Sequence, residues 1–107
     1  MQTLNYQYNV KAIITNISDR IIFSGFKPTH NIKGYLTTGI HKYIDKDAIR
    51  IAESSIGFIA FITPELYIDN INEGDIVDFY DGTQKLGYAK IIEVYKGNVN
   101  SDLSSYP

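Results

Sequence analysis

The sequence contains no cysteine, which excludes disulfide bonds, zinc sites built from thiolates and thiol nucleophiles. No apolar run approaches the roughly 20 residues needed to cross a bilayer. The longest such run, Ile56 to Ile62, already contains Gly57. The first residues, MQTLNYQYNVK, lack the basic and apolar regions of a secretory signal. We therefore expect a cytoplasmic protein without a membrane-spanning segment, held together by packing alone.

Neither sign of charge dominates this chain of 107 residues, whose formal net charge is -2. A balance of this kind gives no overall field that would attract phosphate backbones, so it disfavours non-specific nucleic-acid binding. The length suits one domain with one hydrophobic core. The hydrophobic fraction of 44% is ordinary for a soluble globular domain, so we expect the chain to fold.

Strand patterns recur along the first half of the chain. From Tyr6 to Ile14, apolar residues alternate with polar ones, as they do in a strand with one buried face. Residues 21–23 resume a β-branched and aromatic run, and a hairpin with the first strand is the simplest interpretation. Residues 31–37 predict a further strand. Residues 45–50 are the one plausible helical turn, although extended structure with a loop is favoured there.

The second half carries the strongest turn signals. Residues 56–62 predict a central strand that is buried on both faces and ended by Pro64. Asp81-Gly82 stands between two long apolar runs and predicts a tight hairpin. Gly87 lies inside the second of these runs and predicts a bulge or a close approach of two backbones.

Several short strands with regular turn signals predict an all-β fold, either a sandwich or a closed barrel. Closure would hide strand edges that are rich in isoleucine, tyrosine and phenylalanine. We assign residues 1–96 to a single β domain. Residues 97–107 have almost no apolar content and no periodicity, so they predict a flexible C-terminal tail.

Residues 56–94, taken as one unit, resemble the C-terminal β-barrel of translation elongation factor Tu and its relatives. The shared features are Pro64 after a strand, Glu73-Gly74 before the next strand, the turn at Asp81-Gly82, and Leu86-Gly87 opening the last strand. Upstream, Phe-Ser-Gly-Phe-Lys-Pro at residues 23–28 resembles another segment of that family. The resemblance covers residues 10–95. It implies a single closed antiparallel β-barrel of about six strands, of the Greek-key type.

The sequence also departs from that family. The GTPase domain and its nucleotide-binding motifs are absent, so the resemblance implies no GTP hydrolysis. In the family, this barrel contacts aminoacyl-tRNA and the exchange factor, partly through the glycine turn and the small residues after it. Here the turn carries Asp81 and Gln84 where the family is more basic, and Tyr88 stands where the family has a small residue. The resemblance therefore implies the same scaffold with a different partner.

Aromatic and basic residues concentrate between positions 26 and 42 and form the best candidate surface. Rings with interleaved cations suit both protein recognition and stacking on bases. With two residues of the last strand added, the candidate partner-binding residues are Phe26, Lys27, His30, Lys33, Tyr35, His41, Lys42, Lys85 and Tyr88. The alternative is that the aromatic residues belong to the core and the lysines solubilise strand edges.

Catalytic and metal sites find little support in the sequence. Its two histidines lie outside any Ser-His-Asp arrangement, and a metal there would need a third ligand such as Asp45 or Asp47. The acidic residues of the second half do not follow the pattern of a calcium-binding loop, and a solvated loop is the favoured interpretation. These residues are Glu65, Asp69, Glu73, Asp75 and Asp78. We predict no catalytic residue, no metal and no cofactor.

The favoured hypothesis is a non-catalytic binding protein that acts on a protein partner through one face of the barrel. A toxin antagonist (immunity protein) or a regulator of the translation factor would fit. The alternative is an RNA- or tRNA-binding module that uses the patch at residues 26–42. A small enzyme or a ligand-binding barrel ranks last. Self-association is left open, because the chain has nine tyrosines, and tyrosines make good interface anchors.

Overall fold

The computed structural model describes residues 8–62, 64–66 and 68–95, and its main feature is a closed β-barrel. The described strands are β1 (Val10–Asn16), β2 (Ile22–Phe23), β3 (Thr29–Ile32), β4 (Tyr35–Tyr43), β5 (Ala48–Ile49), β6 (Ser54–Phe61), β7 (Ile76–Asp81) and β8 (Gln84–Val94). Six of them close the barrel in the order β1, β6, β4, β3, β7, β8, with every pair antiparallel. The prediction of an all-β fold with a closed six-stranded antiparallel barrel is confirmed.

The two remaining strands, β2 and β5, form a small antiparallel sheet beside the barrel. The predicted hairpin between β1 and β2 is therefore wrong, because β6 and β8 occupy both edges of β1. The buried side chain of Asn16 stabilises the observed pairing, since its Nδ2 donates to the carbonyl oxygens of Arg20 (2.6 Å) and Ile49 (2.9 Å). Extended structure within residues 45–50 is confirmed by β5.

The strand predicted over residues 31–37 is in fact the hairpin between β3 and β4. The chain reverses at Lys33 and Gly34, whose φ angles are 50° and 98°. The side-chain oxygen of Asn31 accepts a hydrogen bond from the Gly34 amide at 2.8 Å and closes the turn. Lys-Gly is a weaker hairpin signal than Asn-Gly or Asp-Gly, which explains why the turn escaped the sequence analysis.

β6 lies between β1 and β4, and the predicted burial on both faces holds only at its end, residues 59–61. Ile56 is 41% exposed, and Ile62 lies past the end of the strand and is 55% exposed. The strand ends at Phe61, before the 3-10 turn Pro64–Leu66. In a closed barrel each strand has one inner and one outer face, so burial alternates over residues 54–58 of β6.

The predicted hairpin at Asp81-Gly82 is confirmed as the connection between β7 and β8. Gly87 stands opposite Phe79, beside a register shift in this pairing. A Cβ on Gly87 would overlap the carbonyl oxygen of Thr15 and lie 2.8 Å from the ring of Phe79. The predicted close approach of two backbones is thus confirmed, and it brings β8 against β1.

The barrel interior holds one hydrophobic core. Val10, Ala12 and Ile14 are buried in it, which confirms the predicted inner face of β1. Asn9, predicted on the polar outer face, is also buried, and its side-chain oxygen accepts a hydrogen bond from the Phe61 amide at 2.8 Å. Other large members of the core are Ile32, Ile59, Val77, Phe79, Leu86 and Ile91.

Helical structure in the described part of the chain is limited to the 3-10 turns Pro64–Leu66 and Ile68–Asn70. Among these residues, no helix is long and apolar enough to span a bilayer. The predicted tail at residues 97–107 and the predicted strand residue Tyr6 lie outside the described residues.

The substitution Gly87→Ala should lower the free energy of unfolding by about 2–4 kcal/mol, because the added Cβ must displace the backbone of β1. Urea unfolding followed by circular dichroism measures the change. Gly82→Asn is the matched control in the same hairpin, because a Cβ there has nothing within 4 Å and asparagine tolerates positive φ. An equal loss of stability in both variants would contradict the close approach.

Candidate interaction surface

Two histidines of the predicted partner-binding patch are absent from the surface. His30 of β3 and His41 of β4 are both fully buried, so their predicted role in partner contact is wrong. Strand alternation is the reason, since His30 shares the inner face of β3 with Ile32, and His41 shares the inner face of β4 with Tyr43. Gly39 leaves space for the first ring, because a Cβ there would lie 2.9 Å from His30.

The two rings form a buried hydrogen-bonded chain with Tyr43. The Nε2 atoms of His30 and His41 are 2.8 Å apart, and His41 Nδ1 lies 3.0 Å from the Tyr43 hydroxyl. We assign the protons from the network: the Tyr43 hydroxyl donates to His41 Nδ1, and His41 Nε2–H donates to His30 Nε2. Among the described residues, no acceptor lies in hydrogen-bonding geometry with His30 Nδ1, although the backbone carbonyl groups of Thr37 and Pro28 favour the charged form of the ring.

Burial keeps this chain of side chains neutral. It lowers the pKa of His30 to about 3, and the carbonyl groups of Thr37 and Pro28 offset only part of the effect. Burial, and then repulsion from His30, hold the pKa of His41 well below its usual value. Burial also raises the pKa of Tyr43 above its usual value. Both rings are fully buried, so this hydrogen-bonded network of His30, His41 and Tyr43 orders the barrel interior.

The exposed members of the predicted patch lie in three separate places. Lys27 and Lys42 lie near the same end of β4. The His41 amide donates a hydrogen bond to the Phe26 carbonyl, and the two lysines are the next residues along the chain. Phe26 itself is half-buried there. Lys33 and Tyr35 lie at the other end, about 23 Å away for an extended strand. The third place is the far wall, because β8, which carries Lys85 and Tyr88, is three strands from β4 in either direction.

A row of exposed isoleucines crosses the outer wall of the barrel. The Ile44 amide donates to the Ile56 carbonyl at 3.0 Å, and Ile56 of β6 pairs with Ile13 of β1. Ile13 pairs in turn with Lys90 of β8, and Lys90 pairs with Ile76 of β7. These isoleucine side chains are 39% to 55% exposed. The row runs from the end of β4 across β6, β1 and β8 to β7, so its length of roughly 19 Å, at about 4.8 Å between neighbouring strands, follows the curved wall of the barrel.

Aromatic rings and lysines occupy the next outward positions on the same wall. Phe58 of β6 pairs with Lys42 on one side and with Lys11 on the other. The Tyr8 ring stacks on Phe58 with centroids 5.2 Å apart, and Tyr95 lies 6.5 Å from Phe58. We name this surface the β1–β6 face, and it comprises Tyr8, Lys11, Ile13, Lys42, Ile44, Ile56, Phe58, Ile76, Lys90 and Tyr95.

The isoleucines of this face were not among the site residues predicted from the sequence. Ile13 stands between the inward-facing Ala12 and Ile14, at a position where the alternation of β1 favours a polar residue. Ile56 stands likewise between the buried residues Ser55 and Gly57. An apolar residue that is out of phase with the buried face of its strand is the signal that could have identified the surface.

A cleft beside β2 is a weaker candidate. Its volume is about 310 Å³, and it is lined by the consecutive residues 20–26. Arg20, the charged residue of this lining, already forms an ion pair with Asp81 at 2.7 Å. A single chain segment lines the cleft, so polar groups do not converge on a ligand from several sides as they do in small-molecule sites.

Comparison with known proteins assigns no family to the chain. No protein-family model matches it, and no curated protein matches it. Within the described residues, no three histidine, cysteine, aspartate or glutamate side chains gather as metal ligands. Among the described residues, the β1–β6 face is the strongest candidate site.

The buried histidines predict a loss of stability in mild acid. Their pKa is lower in the folded chain than the ordinary value of 6.5, so the unfolded state binds more protons below that pH. Their effect on the free energy of unfolding should be absent above about pH 7. Below pH 6.5 each histidine should lower this energy by up to about 1.4 kcal/mol per pH unit. Urea unfolding between about pH 7.5 and 4.5 measures the slope.

The variant His30→Leu with His41→Leu is the comparison for this slope. It removes both titrating rings and should flatten the pH dependence over the same range. Tyr43→Phe is the matched control, because it removes a hydrogen bond of the same chain and keeps both rings. An unchanged slope in the double leucine variant would show that the histidines do not cause the acid sensitivity.

Proposed function

We propose that the protein is a non-catalytic binding protein that engages another protein through the β1–β6 face. The observation that carries this proposal is the unbroken row formed by Ile44, Ile56 and Ile13, which Lys90 separates from Ile76. Contiguous apolar surface rimmed by polar residues marks interaction sites in soluble proteins. Phe58 and its tyrosine neighbours add aromatic area, which forms strong interface anchors because little side-chain entropy is lost on binding.

The closed barrel supplies a rigid support for this face. β1 and β6 have a hydrogen-bonded neighbour on each side, and the barrel closes through the pairing of β8 with β1. A partner therefore finds no open strand edge here to extend by adding a strand of its own. A partner would therefore be recognised by the side chains of the face, which the strands hold at fixed spacing.

Three features support a protein partner over the RNA-binding alternative. His30 and His41 are buried and cannot stack on bases. Lys33 and Lys85 form ion pairs with Asp75 (3.5 Å) and Asp78 (3.2 Å) in the chain itself. The isoleucine row itself offers neither charge to phosphates nor rings to bases, contacts that dominate RNA recognition, although lysines and the ring of Phe58 flank it on the same face.

The resemblance of residues 10–95 to the C-terminal barrel of elongation factor Tu stays a prediction, as does the Greek-key type. A closed six-stranded antiparallel barrel is the architecture that this resemblance implies. If the scaffold is shared, a toxin antagonist or a regulator of the translation factor is an activity of the proposed kind. Either would act by occupying a protein surface and would need no catalytic group.

The variant Ile13→Thr with Ile56→Thr should abolish capture of the partner from a native cell extract. Threonine keeps the β-branched shape that suits a strand, so the barrel should persist while the apolar contact is lost. Affinity capture followed by quantitative mass spectrometry measures the loss, which we expect to be at least about tenfold, equivalent to about 1.4 kcal/mol.

Leu36→Thr is the control for this experiment. Leu36 is 69% exposed and lies on the β3–β4 hairpin, away from the β1–β6 face. It should capture the partner as the natural sequence does. Equal capture by the double isoleucine variant, or an equal loss in the Leu36 variant, would contradict the proposed interface.

A further inference from the structure

The small sheet of β2 and β5 differs from the barrel because, within the described residues, it stays open at its edges. In register with its strand pairing, the Ser24 amide donates to the Asp47 carbonyl at 2.8 Å. Alternate residues of an antiparallel pair direct their backbone groups to the partner strand. Ile22 and Ser24 therefore bond toward β5, whereas Ile21 and Phe23 direct their amides and carbonyls away from it.

Three backbone groups on this outer edge of β2 are unpaired. The Phe23 carbonyl accepts a hydrogen bond from the Phe26 amide at 3.1 Å. Among the described residues, none bonds to the Phe23 amide or to the amide and carbonyl of Ile21. The side chains of Ile21 and Phe23 are exposed beside these groups. The edge thus offers two donors and one acceptor to another strand.

The outer edge of β5 is better satisfied. By the same alternation, Ala48 and Arg50 direct their backbone groups away from β2. The Arg50 amide donates to the Glu53 side chain at 2.8 Å, and the Arg50 carbonyl accepts from the Glu53 amide at 3.0 Å. A strand that added to the small sheet would therefore find more free groups on β2 than on β5.

The cleft beside β2 lies along this open edge. Residues 20–26 line it, and β5 contributes nothing to the lining. Its volume of about 310 Å³ is at the small end of ligand pockets. A lining from a single chain segment counts against a small-molecule ligand. It suits an added strand, however, because such a strand forms its backbone hydrogen bonds with one neighbouring segment.

We propose that this cleft binds an extended segment of another protein, which adds to β2 as a third strand of the small sheet. The segment would accept hydrogen bonds from the amides of Ile21 and Phe23 and donate one to the Ile21 carbonyl. Residues directly opposite each other in a sheet share a face, so β-branched or aromatic residues two positions apart would lie beside the exposed Ile21 and Phe23 side chains. The site goes beyond the proposed function, because no residue of the β1–β6 face lines the cleft.

A second copy of this chain fits the cleft less well. In a two-fold contact, the same surface of each copy meets its equivalent. The concave segment of one copy would then face the concave segment of the other, and neither cleft would be filled. A single extended segment is narrow enough to follow residues 20–26. The self-association that the tyrosines left open is thus not favoured at this site.

Two N-methylated peptides test the site beside an unmethylated parent peptide, in which two valines alternate with threonines. Methyl groups on the valine amides remove the donor that would meet the Ile21 carbonyl and block close approach to β2. Methyl groups on the threonine amides would point away from β2, so this peptide is the matched control. The valine-methylated peptide should bind at least about tenfold more weakly than the other two.

Backbone amide NMR of the full isotope-labelled chain measures this binding. The parent peptide should shift the signals of Ile21 and Phe23 and slow the hydrogen exchange of both amides. The Ser24 amide is already bonded within the chain, so its exchange is the internal reference.

The variant Phe23→Pro tests the same hydrogen bonds from the side of the chain. Proline removes the outward amide and is tolerated at sheet edges. Phe23→Ala is the matched control, because it removes the ring and keeps the amide. Phe23→Pro should bind the parent peptide at least about tenfold more weakly than Phe23→Ala. Circular dichroism checks that both variants fold, and the methylated peptides test the site independently of them.

Each other outcome overturns the inference. Equal binding of the two methylated peptides would show that the contact does not use the backbone edge, and binding of no peptide would reject the site. Shifts at Ile13 and Ile56 in place of Ile21 and Phe23 would move the peptide to the β1–β6 face. Self-association in light scattering that is lost in Phe23→Pro and kept in Phe23→Ala would assign the edge to a second copy. The capture experiment judges the proposed function separately.

Discussion

The narrow interior of the six-stranded barrel is the constraint on which the rest of the structure depends. Glycines on β4, β6 and β8 face inward, and each leaves space for a ring from a neighbouring strand. A Cβ at these positions would lie close to a ring atom: 2.9 Å for Gly39 and His30, 3.1 Å for Gly57 and Tyr43, 2.8 Å for Gly87 and Phe79. Each ring thus occupies the space that an inward-facing glycine leaves on a neighbouring strand. In a barrel of this size the side chains fill the interior, so the residues that allow the barrel to close are the same residues that pack its core.

A filled interior and paired strand edges leave the outer wall as the surface for function. The same packing decides which residues stand on that wall, because a shift of one residue in a strand moves every side chain to the other face. Gly57 can face only inward, where Tyr43 and Ile14 need its space, so Ile56 and Phe58 must face outward. The inward Ala12 and Ile14 fix Ile13 outward in the same way. The isoleucine row is therefore aligned by the core beneath it.

Local signals in the sequence were enough for much of the fold, and long-range pairing was not. The hairpin at Asp81-Gly82 and the inner face of β1 depend on residues a few positions apart, and both were predicted. The pairing of Ile22 with Ile49 depends on β1 having both edges occupied, which no local pattern reveals. The partner-binding prediction failed at the histidines for another reason. Their polar character was given more weight than strand alternation, although His30 shares a face with the apolar Ile32.

The buried histidine chain and the exposed isoleucine row are linked through β4. A slip of β4 by one residue would expose His41 and turn Lys42 toward the core, where an unpaired charge is strongly unfavourable. The hydrogen bonds that His41 donates to His30 and accepts from Tyr43 favour the observed register further, because they satisfy polar atoms that are buried only in that register. In this register His41 pairs with Ile59 and Tyr43 with Gly57. The next residue, Ile44, then bonds to Ile56 and completes the row. A polar network inside the barrel thus helps to set the apolar surface outside it. Buried polar residues and exposed apolar residues both depart from the usual pattern of burial, and the register of β4 accounts for both.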